Sequence, residues 1–255
     1  MPSLELQALN LQIGGKQICK GLSFCMNENE RWGLLGKNGV GKTTLLHSIL
    51  GLHPTESGTI LIGGEPLADI PPMKLASQVG ILFQHELDTL PATVFETVML
   101  GRHPHVQSLL RDDPADVEIA LEALKAFELD DLCEREISTL SGGERQRLSL
   151  AMLLAQTPKI FLLDEPSNHL DVAFQVKLLS ILEQKIRDQS ACLLMATHDI
   201  NLAARYCENI ILLLDGGEFL LGTREEILNE ENLSTAYNCS IKSLSGKDCT
   251  LYYPQ

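Results

Sequence analysis

Trp32-Gly33-Leu34-Leu35-Gly36-Lys37-Asn38-Gly39-Val40-Gly41-Lys42-Thr43-Thr44 decides the fold class of this 255-residue chain. Its first four residues read as a short buried strand, and Thr43–Leu50 reads as a helix. Between them, Gly36–Thr43 fits the pattern G-x-x-x-x-G-K-[ST] in full. Gly36, Gly39 and Gly41 let the backbone N–H groups of Lys37, Asn38, Val40 and their neighbours turn inward around phosphate oxygens. The helix that follows adds the positive end of its dipole. Lys42 then reaches the β- and γ-phosphates, and the Thr43 hydroxyl, with Thr44 beside it, faces Mg²⁺. The plainer reading, a glycine turn with an exposed lysine, does not account for eight matched positions with a strand before and a helix after.

Outward from this loop, short apolar runs alternate with helical patterns. Ile160–Leu163, Ala191–Ala196 and Ile210–Leu214 read as buried strands, which predicts a largely parallel sheet and an α/β class. Leu4–Leu11 alternates as a half-exposed strand does, and Phe24 and its neighbours continue a β region up to Arg31. Strand signals lapse from Ile81. Thr93–Leu100 and Pro114–Phe127 read as helices, the second with Val117, Ala120, Leu121, Leu124 and Phe127 on one apolar stripe. A helical segment of residues 85–155 is therefore expected to interrupt a core made of 1–84 and 156–255. Cys239–Tyr253 reads as a hairpin turning near Ser245-Gly246.

Ile160-Phe161-Leu162-Leu163 ends in Asp164-Glu165, which puts two carboxylates at the carboxyl end of a strand. Open α/β sheets bind ligands at that edge. Asp164 is expected to hold Mg²⁺ directly or through water, and Glu165 to polarise an attacking water as general base. Taken alone, the pair would also fit a solvated acidic turn.

Composition excludes other classes. Twenty Lys and Arg stand against 34 Asp and Glu, a formal charge of −14. Non-specific nucleic-acid binding needs cations to neutralise phosphates, so no nucleic-acid partner is expected, and anionic lipid would repel the chain. The longest apolar runs fall far short of the roughly 20 residues that span a bilayer. Met1-Pro2-Ser3-Leu4-Glu5 carries no secretory pattern. The seven cysteines are scattered without a Cys-x-x-Cys, which fits a reducing compartment and small core roles better than a disulfide framework or a zinc site.

Leu140-Ser141-Gly142-Gly143-Glu144-Arg145-Gln146-Arg147 stands shortly before the acidic pair. Together with the loop, it resembles the signature motif of the ATP-binding subunits of ABC transporters, and the resemblance covers residues 4–237. It implies a P-loop NTPase fold of ABC type: a RecA-like core with a parallel sheet, an N-terminal antiparallel β subdomain and an inserted helical subdomain. It also implies ATP and Mg²⁺ as cofactors, ATP hydrolysis, and a head-to-tail homodimer with two ATP at the interface. Ser141, Gly142, Gly143 and Glu144 open a helix whose free N–H groups form a second anion site. In the family, that site meets the γ-phosphate held by the other subunit. Gln84, after Ile81-Leu82-Phe83, matches the glutamine that contacts Mg²⁺ and water. Ser167-Asn168-His169-Leu170-Asp171 resembles the loop that crosses the dimer interface. His198, after Leu193–Thr197, matches the histidine that holds the γ-phosphate and orients water. His47, His53, His85, His103, His105 and His169 match no such position and are assigned surface or packing roles.

The family usually places an aromatic residue on an early strand to stack on adenine. That position falls at Ile13 here, and no Tyr, Phe or Trp precedes Phe24. Adenine is therefore expected to rest on aliphatic surface, with Trp32 in the core. The resemblance further implies transport through separate polytopic permease subunits, at the cytoplasmic face of the inner membrane, with a solute-binding protein in the complete system. Gly101-Arg102-His103-Pro104-His105 and Asn232-Leu233…Ala236-Tyr237 resemble the importer subfamily serving iron–siderophore, haem and cobalamin uptake. Only 57 residues follow His198, too few for the extra regulatory domain of some importer ATPases. A soluble ABC ATPase of metal-cluster assembly is the competing reading. A non-catalytic scaffold is disfavoured by the joint presence of Lys42, Asp164, Glu165 and His198.

Overall fold

Leu4–Leu11 forms a strand whose buried phase changes part-way: Leu4 and Leu6 are buried, then Leu9 and Leu11. A computed structural model, which describes residues 3–83, 91–106, 113–168, 170–246 and 250–255, supplies the reason. Ala8 takes a left-handed φ of 47°, and the register against both neighbouring strands shifts beside it. An extra residue turns the following side chains to the other face. The bulge thus keeps all four leucines in the core, and the Ala8 N–H donates to Ser23 Oγ at 2.8 Å.

In chain order the elements begin with β1 (Leu4–Ile13), β2 (Lys16–Met26), β3 (Arg31–Leu35), α1 (Lys42–Ile49), β4 (Ser57–Ile62) and β5 (Glu65–Pro66). Then come α2 (Pro72–Gln78), β6 (Val79–Leu82), α3 (Val94–Leu100), α4 (Pro114–Ala126), α5 (Gly142–Gln156), β7 (Ile160–Asp164) and α6 (Val172–Gln189). The chain closes with β8 (Cys192–Ala196), α7 (Ile200–Tyr206), β9 (Asn209–Leu213), β10 (Phe219–Thr223), α8 (Arg224–Ile227), α9 (Glu230–Tyr237), β11 (Ile241–Ser245) and β12 (Thr250–Pro254).

Two compact units divide these elements. The first comprises Met1–Ile70, Leu162–Glu165 and Ser190–Gln255. It holds an antiparallel sheet in the order β2-β1-β4-β5, and a second sheet in which β10-β9-β3-β8 continues into β7. β3 runs parallel to β8 and β9, and β10 at the edge is antiparallel to β9. Leu34, Leu35, Leu162, Leu163, Leu194–Ala196 and Ile210–Leu213 are all buried, the near-continuous apolar runs of a sheet covered on both faces. β11 and β12 pair as the expected terminal hairpin. Asn201 on α7 clasps its edge, accepting from Tyr252 N at 2.8 Å and donating to Tyr252 O at 3.1 Å.

The second unit comprises Pro71–Phe161 and Pro166–Gln189. Its helix starts are written in the sequence. Thr93 with Glu96 and Ser141 with Glu144 form capping boxes on α3 and α5, and Asp113 followed by Pro114 opens α4. The apolar stripe expected on Pro114–Phe127 is rotated from its sequence reading. α4 buries Asp116, Ala120, Ala123 and Leu124, leaves Val117 half-buried and exposes Leu121. Asp116 takes an inward place because Arg102 Nε donates to its Oδ1 at 2.8 Å, which offsets the cost of burying the carboxylate. Among the described residues, no helix is long and apolar enough to cross a membrane.

Candidate functional site

In the first unit, β3 delivers the chain into the glycine loop with Leu34 and Leu35 fully buried. Gly36 sits at φ 142°, where an added Cβ would lie 2.8 Å from Leu213 O. Gly41 sits at φ 125°, where one would lie 2.5 Å from Ile18 Cγ2. No other residue type fits either place, so the loop backbone lies close against β9 and β2. Lys37, Asn38, Gly39 and Val40 form its crest, closed by Val40 N donating to Lys37 O at 3.2 Å. Thr43 and Thr44 begin the first turn of α1, both half-buried.

Lys42 is buried and folds back on its own loop, donating to Gly36 O at 2.8 Å and Lys37 O at 3.4 Å. Burial draws its pKa below the ordinary lysine value, against the upward pull of Glu165 and Asp164. An ammonium satisfied only by two carbonyls is poised to take an anion.

The carboxyl ends of β7 and β8 bring the remaining charges of this unit together. Asp164 is 1% exposed, and neither of its carboxylate oxygens has a hydrogen-bond partner. Glu165, also buried, takes a left-handed φ of 51° and donates its N–H to Ala196 O at 2.9 Å. A non-glycine residue held there carries backbone strain, which clusters at functional sites. Its Oε2 lies 2.8 Å from Nδ1 of His198, whose ring is otherwise exposed. The site thus pairs one buried carboxylate anchored by an imidazole with a second that nothing satisfies. Among the described residues, no three His, Cys, Asp or Glu gather for a metal. Magnesium, however, is usually held by one or two carboxylates plus substrate phosphates, and the unpartnered oxygens of Asp164 suit that arrangement.

The other expected residues fall in the second unit. Ser141 caps α5: its Oγ accepts from Glu144 N at 3.3 Å, and Glu144 Oε2 accepts from Ser141 N at 2.7 Å. The Ser141 Oγ–H, donating to Glu144 Oε2 at 2.7 Å, and then the Ser141 N–H hold the Glu144 carboxyl below its ordinary pKa. Gly142 and Gly143 form the first turn behind the cap. Asp171 Oδ1 accepts from Phe174 N at 2.8 Å, at the start of α6. Gln84 lies outside the described residues, as does His169.

Residues 19–168 match the family described as ABC transporter. The hemin import ATP-binding protein HmuV of Pseudomonas aeruginosa is 38% identical over 244 residues, which cover 93% of either chain. The chain belongs to the ABC transporter family. YvrA of Bacillus subtilis, an uncharacterized ABC transporter ATP-binding protein, is 34% identical over 94% of this chain, which spans only 55% of that relative's length. Among solved structures, an inward-facing metal-chelate type ABC transporter superposes with a TM-score of 0.84 at 27% identity, covering 100% of this chain and 98% of the other. The ATP-binding subunits of this family's importers are ATPases coupled to transport, and this chain is an ATP-binding ATPase of the family.

Several residues around the loop of this ABC ATPase are not singled out by sequence reasoning as site residues. Lys16 donates to Gly39 O, Asp215 pairs with the loop's Lys37, and Ile18 lies beneath Gly41. The Tyr237 hydroxyl is buried beside Gly36 without a well-formed hydrogen bond. Burial pushes its pKa up to about 12, with the Gly36 amide pulling the other way. Only Tyr237 carries an advance signal, as the end of the Asn232–Tyr237 string. Trp32 lies in the core, as expected, with its ring 5.1 Å from Phe24, and Ile13 ends β1 half-exposed.

Proposed function

We propose that this ABC ATPase energises import of a metal chelate of the iron–siderophore, haem or cobalamin kind through separate permease subunits. It would hydrolyse ATP in a head-to-tail homodimer at the cytoplasmic face of the membrane, with a solute-binding protein in the complete system. The observation that carries the hydrolytic reading is the 2.8 Å contact between Glu165 Oε2 and His198 Nδ1 beside a phosphate loop with a buried lysine. The haem-import relative and the metal-chelate neighbour support the cargo class.

ATP and water become ADP and phosphate. The N–H groups of residues 37–44 and the α1 N-terminus receive the phosphates, and Lys42 leaves the Gly36 and Lys37 carbonyls to meet their charge. Glu165, oriented through Oε2 by the His198 Nδ1–H, has its other oxygen to accept a proton from water. When the His198 ring carries a second proton, Nε2 contacts the γ-phosphate as a donor. Mg²⁺, when bound, neutralises phosphate charge, and Asp164, Thr43 and Gln84 are the residues that would hold it. Ser141–Glu144 and Asp171 complete the site from the second copy. Each copy would thus be incomplete alone, so ATP drives association and hydrolysis releases it.

The test is Glu165→Gln with size-exclusion and light scattering. It should bind ATP, persist as a dimer and turn over no nucleotide. A variant that stays monomeric with ATP while the wild type dimerises would overturn the reading. Co-purification with a polytopic membrane protein separates import from metal-cluster assembly.

A further inference from the structure

Gly101-Arg102-His103-Pro104-His105 marks a subfamily by resemblance alone, but its bonds assign it a mechanical task. All five residues lie where α3 ends, and every polar contact named below falls within the second unit. A Cβ on Gly101 would sit 2.3 Å from Met152 O, so the chain there lies backbone against backbone on the last turns of α5. Arg102 is 6% exposed. Its Nε donates to Asp116 Oδ1 at 2.8 Å, and its Nη1 to Ala155 O at 2.6 Å and Thr157 Oγ1 at 3.0 Å. Pro104 follows in a short 3₁₀ turn, and His105 Nε2 meets Gln156 O at 2.9 Å.

Two of these acceptors, Ala155 O and Gln156 O, are final carbonyls of α5, groups that a helix leaves without internal partners and that carry the negative end of its dipole. Thr157 ends the helix at φ 50°, an uncommon place for a β-branched residue, and the Arg102 bond holds its hydroxyl. The Gln156 side chain ties the same end to Ala76 O at 2.6 Å and Val79 O at 3.0 Å. The opposite end of α5 is Ser141-Gly142-Gly143, about 22 Å away for a helix of this length.

We propose that Arg102, fixed by Asp116 and assisted by His105, is a positioning residue for the reaction. It sets the axis of α5 from its carboxyl end, and so sets where the Ser141 turn is presented to nucleotide. The inference rests on the ATPase reading above. Arg102 touches neither nucleotide nor the reacting atoms, and its planar fork ties α4, the Ala155 carbonyl of α5 and Thr157 at once.

Arg102→Met alone leaves Asp116 buried without a cation, and that variant can fail by misfolding. The decisive variant is therefore Arg102→Met with Asp116→Leu, which removes the clasp and leaves no unpaired charge. Two quantities are read in the full chain: affinity for a fluorescent ATP analogue and steady-state phosphate release. The analogue should bind within about twofold of the unaltered chain, because the phosphate loop is intact. The turnover number should fall by roughly 10- to 100-fold, the cost of a small misplacement remote from the chemistry. Amide exchange at Gly142 and Gly143 should quicken. Unchanged turnover, or equal loss of affinity and turnover, overturns the assignment. Failure of the unaltered chain to bind the analogue would instead refute the ATPase reading on which the inference depends.

Discussion

Asp164→Asn isolates what an unpartnered buried carboxylate costs the fold. The carboxylate is 1% exposed with both oxygens unpartnered, and the attraction of Lys42 reaches it. An unsatisfied buried polar group costs about 1–3 kcal/mol, more when charged. Asparagine keeps the shape and removes the charge, at the loss of the attraction to Lys42. The net gain is expected to be about 1–2 kcal/mol, since the amide itself stays poorly satisfied. For a chain of this size each kcal/mol moves the unfolding midpoint by about 2–4 °C, so the variant should melt roughly 2–8 °C higher. Calorimetry of the nucleotide-free protein with a chelator present reads this directly. The same variant should lose Mg²⁺-dependent turnover, so stability and activity move in opposite senses. A midpoint equal to or below that of the wild type would refute the claim that Asp164 is an unsatisfied charge held ready for a cation.

Gly41→Ala places a methyl 2.5 Å from Ile18 Cγ2 on backbone at φ 125°. It should cost about 1–3 kcal/mol and weaken nucleotide binding, with Ile18→Ala in the same chain recovering only part. Wild-type affinity in Gly41→Ala would contradict the close approach of the loop. Ile13→Tyr should tighten ATP by about 1–3 kcal/mol, the worth of a base stack; titration of a fluorescent analogue measures it, and no gain removes adenine from that position. Alkylation at about pH 8 followed by peptide mapping should label exposed Cys25 and Cys239. It should spare Cys19, Cys192 and Cys207, which burial pushes up to about 11, 12 and 12. Labelling of those three in the folded chain would contradict the core described above.

The loop and the acidic pair are legible in sequence because each is a local arrangement, whereas His198 is singled out only by the family resemblance. Glycine positions, a run of apolar residues and a terminal charge all lie within one element and its turn. The contact between Glu165 and His198 is not local. It follows from β7 and β8 ending side by side, which a family pattern anticipates and residue spacing does not. The rotation of α4 was hidden for a different reason. Periodicity sorts residues by polarity, and Asp116 is buried because Arg102, on a separate turn, pairs with it. The role of the Gly101–His105 string was equally out of reach, since two of its acceptors, Ala155 O and Gln156 O, are backbone carbonyls that any sequence would supply. Lys37 and Asp215 meet across a sequence separation of 178, and neither residue carries a sign of the other.

Phosphate release from ATP by the wild type, set beside Glu165→Gln at equal nucleotide occupancy, tests the central claim most directly. The wild type should release phosphate in steady state. Glu165→Gln keeps the buried shape but cannot accept a proton, and should release phosphate at least about a hundredfold more slowly, the lower range for a lost general base. Equal rates in the two proteins would contradict the assignment of Glu165, and with it the site built around the contact to His198.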